Sequence, residues 1–285
     1  MRYAVTAVSG QLGREIARKL IERTDHATVI GLARTPGNAT ELGIEVRPGD
    51  YDKPDDLRTS LAGVDALVLV SGMAPPEDRI SQHRNVIEAA KAAGVCKIIY
   101  TSIQGPEVGT AFSPVVQSNR KTEADIRASG LDWAIGRNGI YIEPDVEYID
   151  SYRAKGEIAN SAGGGKCGYT TRSELAHAYA ALLMRDELNG QTFDLNGTPI
   201  TQTELTQYMN AAFGTALTYR CMTAEDYVAD RTAELGDFIG PIIGGIYDGI
   251  RRGAFDTPGD YEAATGRPHQ SWKDYFTSLS RSSRR

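Results

Sequence analysis

A glycine-containing turn near the start of the chain is the feature best suited to bind a ligand. A short apolar strand, predicted over 3–7, leads through Ser9 and Gly10 into a helical pattern that begins at Gln11. A strand, a tight glycine turn and a helix together present backbone N–H groups and a helix N-terminus to a pyrophosphate. Gly10 would let the backbone approach the phosphates, and Gly13 would let the helix pack closely on the strand. The turn therefore predicts a dinucleotide site, and a purely structural turn is the alternative.

The turn departs from the usual glycine pattern at its first position, which is Ala7. Alanine is the mildest replacement for glycine, but it would be strained if its φ angle were positive. Two interpretations therefore stay open at this point: a working cofactor site, and a scaffold whose cofactor site has been lost.

A cation, Arg34, directly follows the second predicted strand, over 27–33. An acidic residue there would hold the ribose 2′-hydroxyl of NAD, whereas an arginine can bind the 2′-phosphate of NADP, because the guanidinium is planar, permanently charged and bidentate. We therefore expect Arg34 to select NADP(H), and an ordinary surface arginine is the alternative. Asp50 and Tyr51 follow the third predicted strand, over 44–47, and could meet the adenine edge and ring. The alternative for Asp50 is a turn or capping carboxylate.

Small and polar residues also end the next three predicted strands. They are Ser71 and Gly72 after 66–70, Tyr100, Thr101 and Ser102 at the end of 97–101, and Arg137, Asn138, Gly139 and Tyr141 after 133–135. Hydroxyl groups at strand ends can simply satisfy backbone groups. Because the three clusters share one edge of one sheet, we expect a common site, with Asn138 and Tyr141 offering polar groups toward its cleft.

Strands and helices alternate along the first half of the chain, which predicts an α/β, doubly wound parallel sheet of Rossmann-like type. Helices are predicted over 11–21, 54–61, 81–93, 114–129, 172–184 and 201–213, and a further strand over 192–195. Near residue 142 the alternation changes. We therefore predict an NADP-binding domain over 1–142 and a smaller C-terminal α+β lobe over 143–285, with parts of 154–196 packing back onto the first domain. The lobe would line the cleft and select the substrate.

The composition limits the classes of function. The 285 residues carry a formal net charge of −6, which argues against a nucleic-acid-binding surface. No apolar run reaches membrane-spanning length, and the three cysteines lack metal-ligand spacing. Met1 leads directly into the first predicted strand, which leaves no room for a signal peptide, so we expect a cytoplasmic protein without a metal. The basic cluster of Arg281, Arg284 and Arg285 is expected to be a solvated or disordered end.

Several segments together make the chain recognisable. They are 9–13, 33–34, 49–51, 82–86 with 89–95, 100–102 and 137–139. On them the chain resembles the NmrA-like group of atypical short-chain dehydrogenase/reductases, and within it the branch of NADPH-dependent quinone oxidoreductases (type 2) and triphenylmethane reductases. The resemblance spans most of the chain but is specific only in the first half. It implies NADPH bound along the strand ends and a flat acceptor stacked near the nicotinamide.

The predicted cofactor-binding residues combine the strand-end positions with Gln82, which the resemblance alone implies. They are Thr6, Ser9, Gly10, Gln11, Leu12, Arg34, Asp50, Tyr51, Ser71, Gly72, Gln82, Thr101, Ser102 and Asn138. One departure concerns the helix that contains Glu123, where relatives often carry His or Lys and this chain has Asn119. Lys121 is the nearest replacement for a proton-donating cation, and a solvated helix lysine is the alternative.

The catalytic chemistry is constrained by a missing motif. Tyr100 and Tyr141 are not followed four residues later by lysine, so the Tyr-x-x-x-Lys pair that protonates an alkoxide in typical short-chain reductases is absent. The four histidines are too scattered to form a triad. His83 lies nearest the proposed cleft, and we expect it to be an exposed helix residue with a structural role; a proton donor to the acceptor is the alternative. Direct hydride transfer to a quinone or a similar conjugated electrophile is less demanding, because positioning can suffice.

We therefore predict an NADPH-dependent reductase of quinone-like or other conjugated acceptors, with Tyr141, Asn138 and Lys121 as candidate catalytic residues. A small conjugated acceptor is the expected partner, with neither nucleic acid nor membrane, and a homodimer is left open. The alternative function is a non-catalytic NADP(H)-sensing regulator, since NmrA-like relatives include such sensors and the fold does not decide between the two.

Overall fold

The computed structural model describes the backbone of residues 1–282 and the side chains of residues 1–280. Its strands are β1 (Tyr3–Val5), β2 (Val29–Ala33), β3 (Glu45–Pro48), β4 (Ala66–Val70), β5 (Lys97–Ile103), β6 (Asp132–Asn138), β7 (Ile140–Tyr141), β8 (Glu157–Asn160), β9 (Lys166–Cys167), β10 (Tyr169–Thr170), β11 (Gln191–Leu195), β12 (Ile200–Thr201) and β13 (Thr218–Cys221). Its helices are α1 (Gln11–Ile21), α2 (Pro54–Ser60), α3 (Pro76–Ala92), α4 (Ser113–Arg127), α5 (Glu143–Glu147), α6 (Ile149–Lys155), α7 (Arg172–Met184), α8 (Gln202–Phe213), α9 (Ala224–Arg251), α10 (Tyr261–Thr265) and α11 (Trp272–Ser282). The basic cluster predicted at the tail lies outside the residues whose side chains are described.

Seven parallel strands form the central sheet, in the order β11-β6-β5-β4-β1-β2-β3. The strand order reverses at β1, as in a doubly wound sheet, so the predicted fold is confirmed. β2 and β4 are buried along their whole length because helices cover both faces of the sheet. One face packs on α1 and α7, and the other on α2, α3 and α4.

The chain leaves this sheet after β6 and later returns to it. It passes through α5, α6 and the short strands β7 to β10, then comes back as α7, which packs on α1, and as β11, which pairs with β6. The C-terminal elements form a separate hydrophobic core centred on aromatic side chains. Its largest members are Phe112, Tyr169, Phe255, Trp272 and Phe276.

Element bounds differ from the predicted ones where prolines and turns intervene. The helix predicted from 81 begins at Pro76, since a proline at the first helical position lacks only an N–H that would be unbonded there. The strand predicted from 27 begins at Val29, because Asp25 accepts a hydrogen bond from Ala27 N and forms a tight helical turn over 26–28. The helices over 11–21 and 172–184 have the predicted bounds.

Across residues 1–282, no helix is long and apolar enough to cross a membrane. In the same range, no cluster of three or more histidine, cysteine or acidic side chains is arranged to hold a metal ion.

Candidate functional site at the carboxyl edge of the sheet

The N-terminus of α1 is exposed and lacks a cap. Gly10 occupies the capping position, no side chain accepts a hydrogen bond there, and the first turn of the helix carries no acidic residue. Gly10 and Gln11 are exposed, while Ser9 is half-buried. Unbonded N–H groups and the helix dipole make such an end attractive to an anion. The turn therefore fits a dinucleotide pyrophosphate.

The turn is held in this shape by two close backbone approaches. Ala7 has a φ angle of +52°, the left-handed conformation that glycine adopts without strain. Its carbonyl oxygen accepts a hydrogen bond from Gly10 N at 2.9 Å. A Cβ at Gly13 would lie 2.4 Å from the same oxygen, so only glycine allows α1 to approach the strand this closely. Ala7 thus keeps the shape of a glycine turn at a conformational cost of about 1–2 kcal/mol.

Two arginines lie beside this turn, and they differ in how they are engaged. Arg34 is exposed after β2, and no hydrogen bond or ion pair holds its guanidinium within the described residues. Arg14 donates from Nη2 to Ser9 O at 3.2 Å and to Asn38 O at 3.3 Å, so it ties the turn to the segment after β2. Sequence reasoning missed Arg14. Its signal is a cation in the first turn of a helix, where the helix dipole disfavours one.

Thr6 and Tyr51 are buried and bonded to each other. The Tyr51 hydroxyl donates to Val70 O at 2.8 Å, and Val70 N donates to Thr6 Oγ1 at 2.9 Å. These bonds join the loop after β3 to β1 and β4, so both side chains are occupied by the fold. Asp50 accepts a hydrogen bond from Asp52 N at 3.2 Å, which is the geometry of a turn carboxylate.

Gln82 lies at the sheet edge beside Gly72, as the family resemblance implied. Its Oε1 would lie 3.5 Å from a Cβ at Gly72, and its Nε2 donates to both carboxylate oxygens of Asp52, at 3.0 and 3.1 Å. Leu12, another predicted cofactor residue, is 8% exposed and belongs to the hydrophobic core. Its backbone N–H, not its side chain, faces the turn at the helix end.

The prediction that His83 is exposed is wrong, because the side chain is fully buried between strands and helices. Its Nε2 accepts from Gly72 N at 3.0 Å, and its Nδ1 lies 2.9 Å from Thr122 Oγ1. Burial, reinforced by the charge of Arg79, lowers the pKa of His83 to about 3. The imidazole is therefore neutral at physiological pH and fixes the loop that begins at Ser71.

Asn119 joins the ends of β4 and β5. The Tyr100 hydroxyl donates to Asn119 Oδ1 at 2.6 Å, and Ser71 Oγ donates to the same oxygen at 3.3 Å. Burial raises the pKa of Tyr100 to about 12. Ser71 N also donates to Thr101 Oγ1 at 2.8 Å, so Ser71, Thr101, Tyr100 and Asn119 form one connected network.

Ser102 is occupied by a buried carboxylate. It donates to Glu123 Oε1 at 2.7 Å, and the guanidinium of Arg137 binds both oxygens of Glu123, at 2.8 and 2.9 Å. Arg120 and Arg127 complete the cluster. Burial alone would raise the pKa of Glu123, but hydrogen bonds from Arg137 and Ser102 and the charge of Arg120 lower it below the usual value. Ser102 and Glu123 therefore stabilise the packing of α4 on the sheet.

Tyr141 ends a short hydrogen-bonded chain at the edge of β6. Asn138 Nδ2 donates to the Tyr141 hydroxyl at 3.2 Å, and Asn138 Oδ1 accepts from the Tyr179 hydroxyl. The amide is thereby fixed in one orientation, and the Tyr141 hydroxyl hydrogen has no acceptor among the described residues. Burial raises the pKa of Tyr141 to about 12, so the hydroxyl stays protonated at neutral pH.

Comparison with known proteins identifies the family. The model of an NAD(P)H-binding family matches residues 8–186. The chain belongs to this NAD(P)H-binding family. It is 32% identical over 230 residues to quinone oxidoreductase 2 of Escherichia coli, which covers 79% of each chain. The predictions of the family and of an NAD(P)H cofactor are thereby confirmed.

Two solved structures of family members superpose over nearly the whole chain. One is the NADPH-dependent quinone oxidoreductase of Escherichia coli complexed with NADPH, with a TM-score of 0.88 and 28% identity over 97% of this chain and 99% of that one. The other is triphenylmethane reductase of Citrobacter sp. complexed with NADP(H), with a TM-score of 0.89, 28% identity and the same coverage. Both relatives are reductases that bind NADPH or NADP(H), which is the class of oxidoreductase expected from the sequence.

The structure does not bring Lys121 together with the other candidate residues. Lys121 lies on the exposed face of α4, whereas Asn119, two residues earlier, is buried against the strand ends. Two residues on a helix are separated by about 200° around its axis, so the two side chains point in nearly opposite directions.

Proposed function

We propose that the protein is an NADPH-dependent reductase that passes a hydride directly to a flat, conjugated acceptor of the quinone type. The observation that carries the proposal is the exposed, uncapped N-terminus of α1 beside the unengaged guanidinium of Arg34. A helix end suits the pyrophosphate, and a free arginine at the next strand end suits the 2′-phosphate that distinguishes NADPH from NADH. The names of the similar quinone oxidoreductases support the choice of acceptor.

When bound at this edge, NADPH supplies the hydride. The residues of the chain position the acceptor. Tyr141 offers a hydroxyl hydrogen that no other described residue accepts, and Asn138 fixes the direction of that hydroxyl. Because the pKa of Tyr141 is about 12, it would hydrogen-bond an acceptor oxygen without readily giving up its proton. This fits an acceptor whose reduced form is a stabilised anion and needs no strong acid.

An apolar acceptor also suits the surface around this edge. Met73 is 79% exposed in the loop after β4, and Val108 is 76% exposed in the loop after β5. Phe238, 46% exposed, belongs to α9, whose later turns pack on the loop after β5. Exposed large apolar side chains in the loops at this edge, such as Met73 and Val108, are typical of surfaces that meet a ligand.

The test is oxidation of NADPH, followed by its absorbance, with a panel of quinones and a cationic triphenylmethane dye. Turnover with quinones is expected. Binding of NADPH without turnover of any acceptor would contradict the proposal and favour the alternative, a non-catalytic NADP(H) sensor.

Replacing the polar groups next to the acceptor should lower the rate only moderately. Asn138→Ala and Tyr141→Phe are each expected to cost about tenfold or less in kcat for quinones, because they misplace the acceptor without removing an essential acid. Steady-state kinetics with saturating NADPH measures this. Tyr208→Phe, in the C-terminal core, is the matched control and should have no effect. Loss of a true general acid typically costs about 10²–10⁴-fold, so a loss in that range would overturn the positioning mechanism.

A further inference from the structure

Arg79, in the first turns of α3, is a buried cation without an anionic partner. Its side chain is only 5% exposed. Nη2 donates to Ala74 O at 2.9 Å and Nη1 to Ser118 Oγ at 3.3 Å, but Nε is buried without any partner. Within the described residues, no carboxylate lies within ion-pair distance of its guanidinium. Burying an uncompensated charge is costly, and the fold itself supplies nothing that offsets this cost.

The guanidinium lies between the loop that follows β4 and helix α4, at the carboxyl ends of β4 and β5. Ala74 belongs to the loop that follows β4, and Ser118 adjoins Asn119, which receives the hydrogen bonds of Tyr100 and Ser71. The charge of Arg79 also acts on the buried rings nearby: it adds to the lowering of the pKa of His83 by burial, and it opposes part of the rise that burial causes in the pKa of Tyr100. An uncompensated positive charge therefore lies close to the ends of β4 and β5.

We propose that Arg79 is a positioning residue whose charge selects acceptors that become anionic on reduction, such as quinones, over acceptors that are cationic. This inference rests on the proposed function and names its substrate class. Arg79 would act through the electric field of its guanidinium, across the network of Asn119, Ser71 and Tyr100, and not by contact with the acceptor.

The two acceptor classes differ in how their charge changes. A neutral quinone that receives a hydride gains two electrons and one hydrogen: a C–H bond of the reduced nicotinamide breaks, a bond to that hydrogen forms at one quinone oxygen, and the other oxygen becomes a phenolate. The phenolate then takes a proton from solvent, and NADPH becomes NADP⁺. A cationic triphenylmethane dye that receives a hydride at its central carbon becomes neutral. A buried cation stabilises the first product and repels the second substrate.

Two variants separate the charge of Arg79 from its hydrogen bonds. Arg79→Lys keeps the charge, and Arg79→Gln keeps a donor for Ala74 O without the charge. With a quinone, kcat should fall about tenfold or more in Arg79→Gln and much less in Arg79→Lys, whereas turnover of a cationic dye should be unchanged or faster in Arg79→Gln. An equal loss with both acceptors, or an equal loss in both variants, would show that Arg79 only holds the loop after β4.

A binding measurement tests the same inference without turnover. Isothermal titration of the NADP⁺-loaded protein with dinitrophenolate, an anion that resembles the reduced product, should give about tenfold weaker binding in Arg79→Gln than in the parent or in Arg79→Lys. Neutral dinitroanisole should bind all three proteins alike, and thermal unfolding verifies that each is folded. Equal losses for both ligands would overturn the role of the charge. If the parent reduces no acceptor at all, the proposed function fails, and this titration still decides whether the charge of Arg79 favours an anion.

Discussion

The two halves of the carboxyl edge are built in opposite ways. At the turn after β1 and at the end of β2, the groups that would meet a ligand are exposed and unengaged: the first N–H groups of α1 and the guanidinium of Arg34. At the ends of β4, β5 and β6, the polar side chains are mostly buried and bonded to one another, as in the contacts of Asn119 with Tyr100 and of Glu123 with Arg137.

The first half of the edge is built to bind a ligand, and the second half is built mainly to stabilise the fold. In the first half, a ligand would be held by backbone shape and by one free cation, so substitutions there should weaken binding and leave stability almost unchanged. In the second half, the polar groups satisfy each other, so substitutions there should lower stability or displace the few groups, such as Tyr141, that remain free to meet an acceptor.

The largest effect is expected at Glu123, in the second half of the edge, where the polar groups are bonded to one another. Glu123→Ala leaves Arg120 and Arg137 without their buried partner, and should lower the free energy of unfolding by about 3–5 kcal/mol. Denaturant unfolding measures this. Glu88→Ala, which breaks an exposed ion pair with Lys91, is the control and should cost far less. Similar losses for the two variants would contradict the assignment of Glu123 as a buried anchor.

The contribution of Glu123 should also depend on pH. Its pKa in the folded protein is lowered below the ordinary value of 4.5, so the folded state favours the ionised carboxylate. The stabilisation is fully present above the unfolded pKa and is lost as the pH falls through the folded one. The difference in unfolding free energy between the parent and Glu123→Gln should therefore shrink on acidification below about pH 4.5. A difference that grows on acidification would show that folding raises the pKa of Glu123 and would contradict this prediction.

In the first half of the edge, where the groups are exposed and unengaged, Gly10→Val should abolish NADPH binding in a folded protein. A Cβ at Gly10 would lie 3.2 Å from Ala7 O, so the turn must yield by a few tenths of an ångström, and a branched side chain would fill the space of the pyrophosphate. We expect a loss of affinity of about a hundredfold or more, measured by fluorescence titration with circular dichroism as the test of folding. Gly164→Val, where a Cβ would meet nothing within 4 Å, is the control. Unchanged binding in Gly10→Val would place the phosphates elsewhere.

Arg34→Ala should remove the preference for NADPH over NADH. A charge-assisted bidentate contact contributes about 1.5–3 kcal/mol, which corresponds to roughly ten- to a hundredfold in affinity. The ratio of the two dissociation constants measures this, and Arg58→Ala, another exposed arginine, should leave the ratio unchanged. Equal affinities of the parent for the two cofactors would refute the role of Arg34.

The smallest effect is expected at Ala7. Ala7→Gly relieves the left-handed conformation and should raise the free energy of unfolding by about 1 kcal/mol. Ala124→Gly, on the exposed face of α4, should have the opposite sign, because glycine destabilises a helix interior. A loss of stability in Ala7→Gly, measured by thermal unfolding, would show that the turn is not strained.

Much of the architecture follows from local patterns. Apolar periodicity predicts α1, the cap that Thr171 places on Glu174 N marks the start of α7, and a capping box between Thr201 and Glu204 marks the start of α8. The phosphate turn and Arg34 were predictable for the same reason, since a strand, a turn and a helix lie consecutively in the sequence. The start of α3 was missed because Pro75 and Pro76 resemble a loop although the second begins a helix.

The remaining features of the site depend on contacts between distant segments. Nothing local distinguishes His83 from an exposed helix residue; it is buried because α4 supplies Thr122 and the loop after β4 supplies Gly72 N. Thr6 and Tyr51 have the residue types of ligand contacts, and only the proximity of β1 to the loop after β3 shows that they bond each other. Arg79 carries no sequence signal at all, because an unpaired cation is recognisable only once its surroundings are known.

The return of the chain to the sheet after residue 170 has a consequence for biosynthesis. The edge strand β11 and the helix α7, which packs on α1, are encoded after the first elements of the C-terminal lobe. When only the first 142 residues have emerged from the ribosome, the sheet therefore has one edge unpaired and one face partly uncovered. The nucleotide-binding half cannot be completed until residue 195 has emerged, so it cannot finish folding before the first part of the C-terminal lobe has been made.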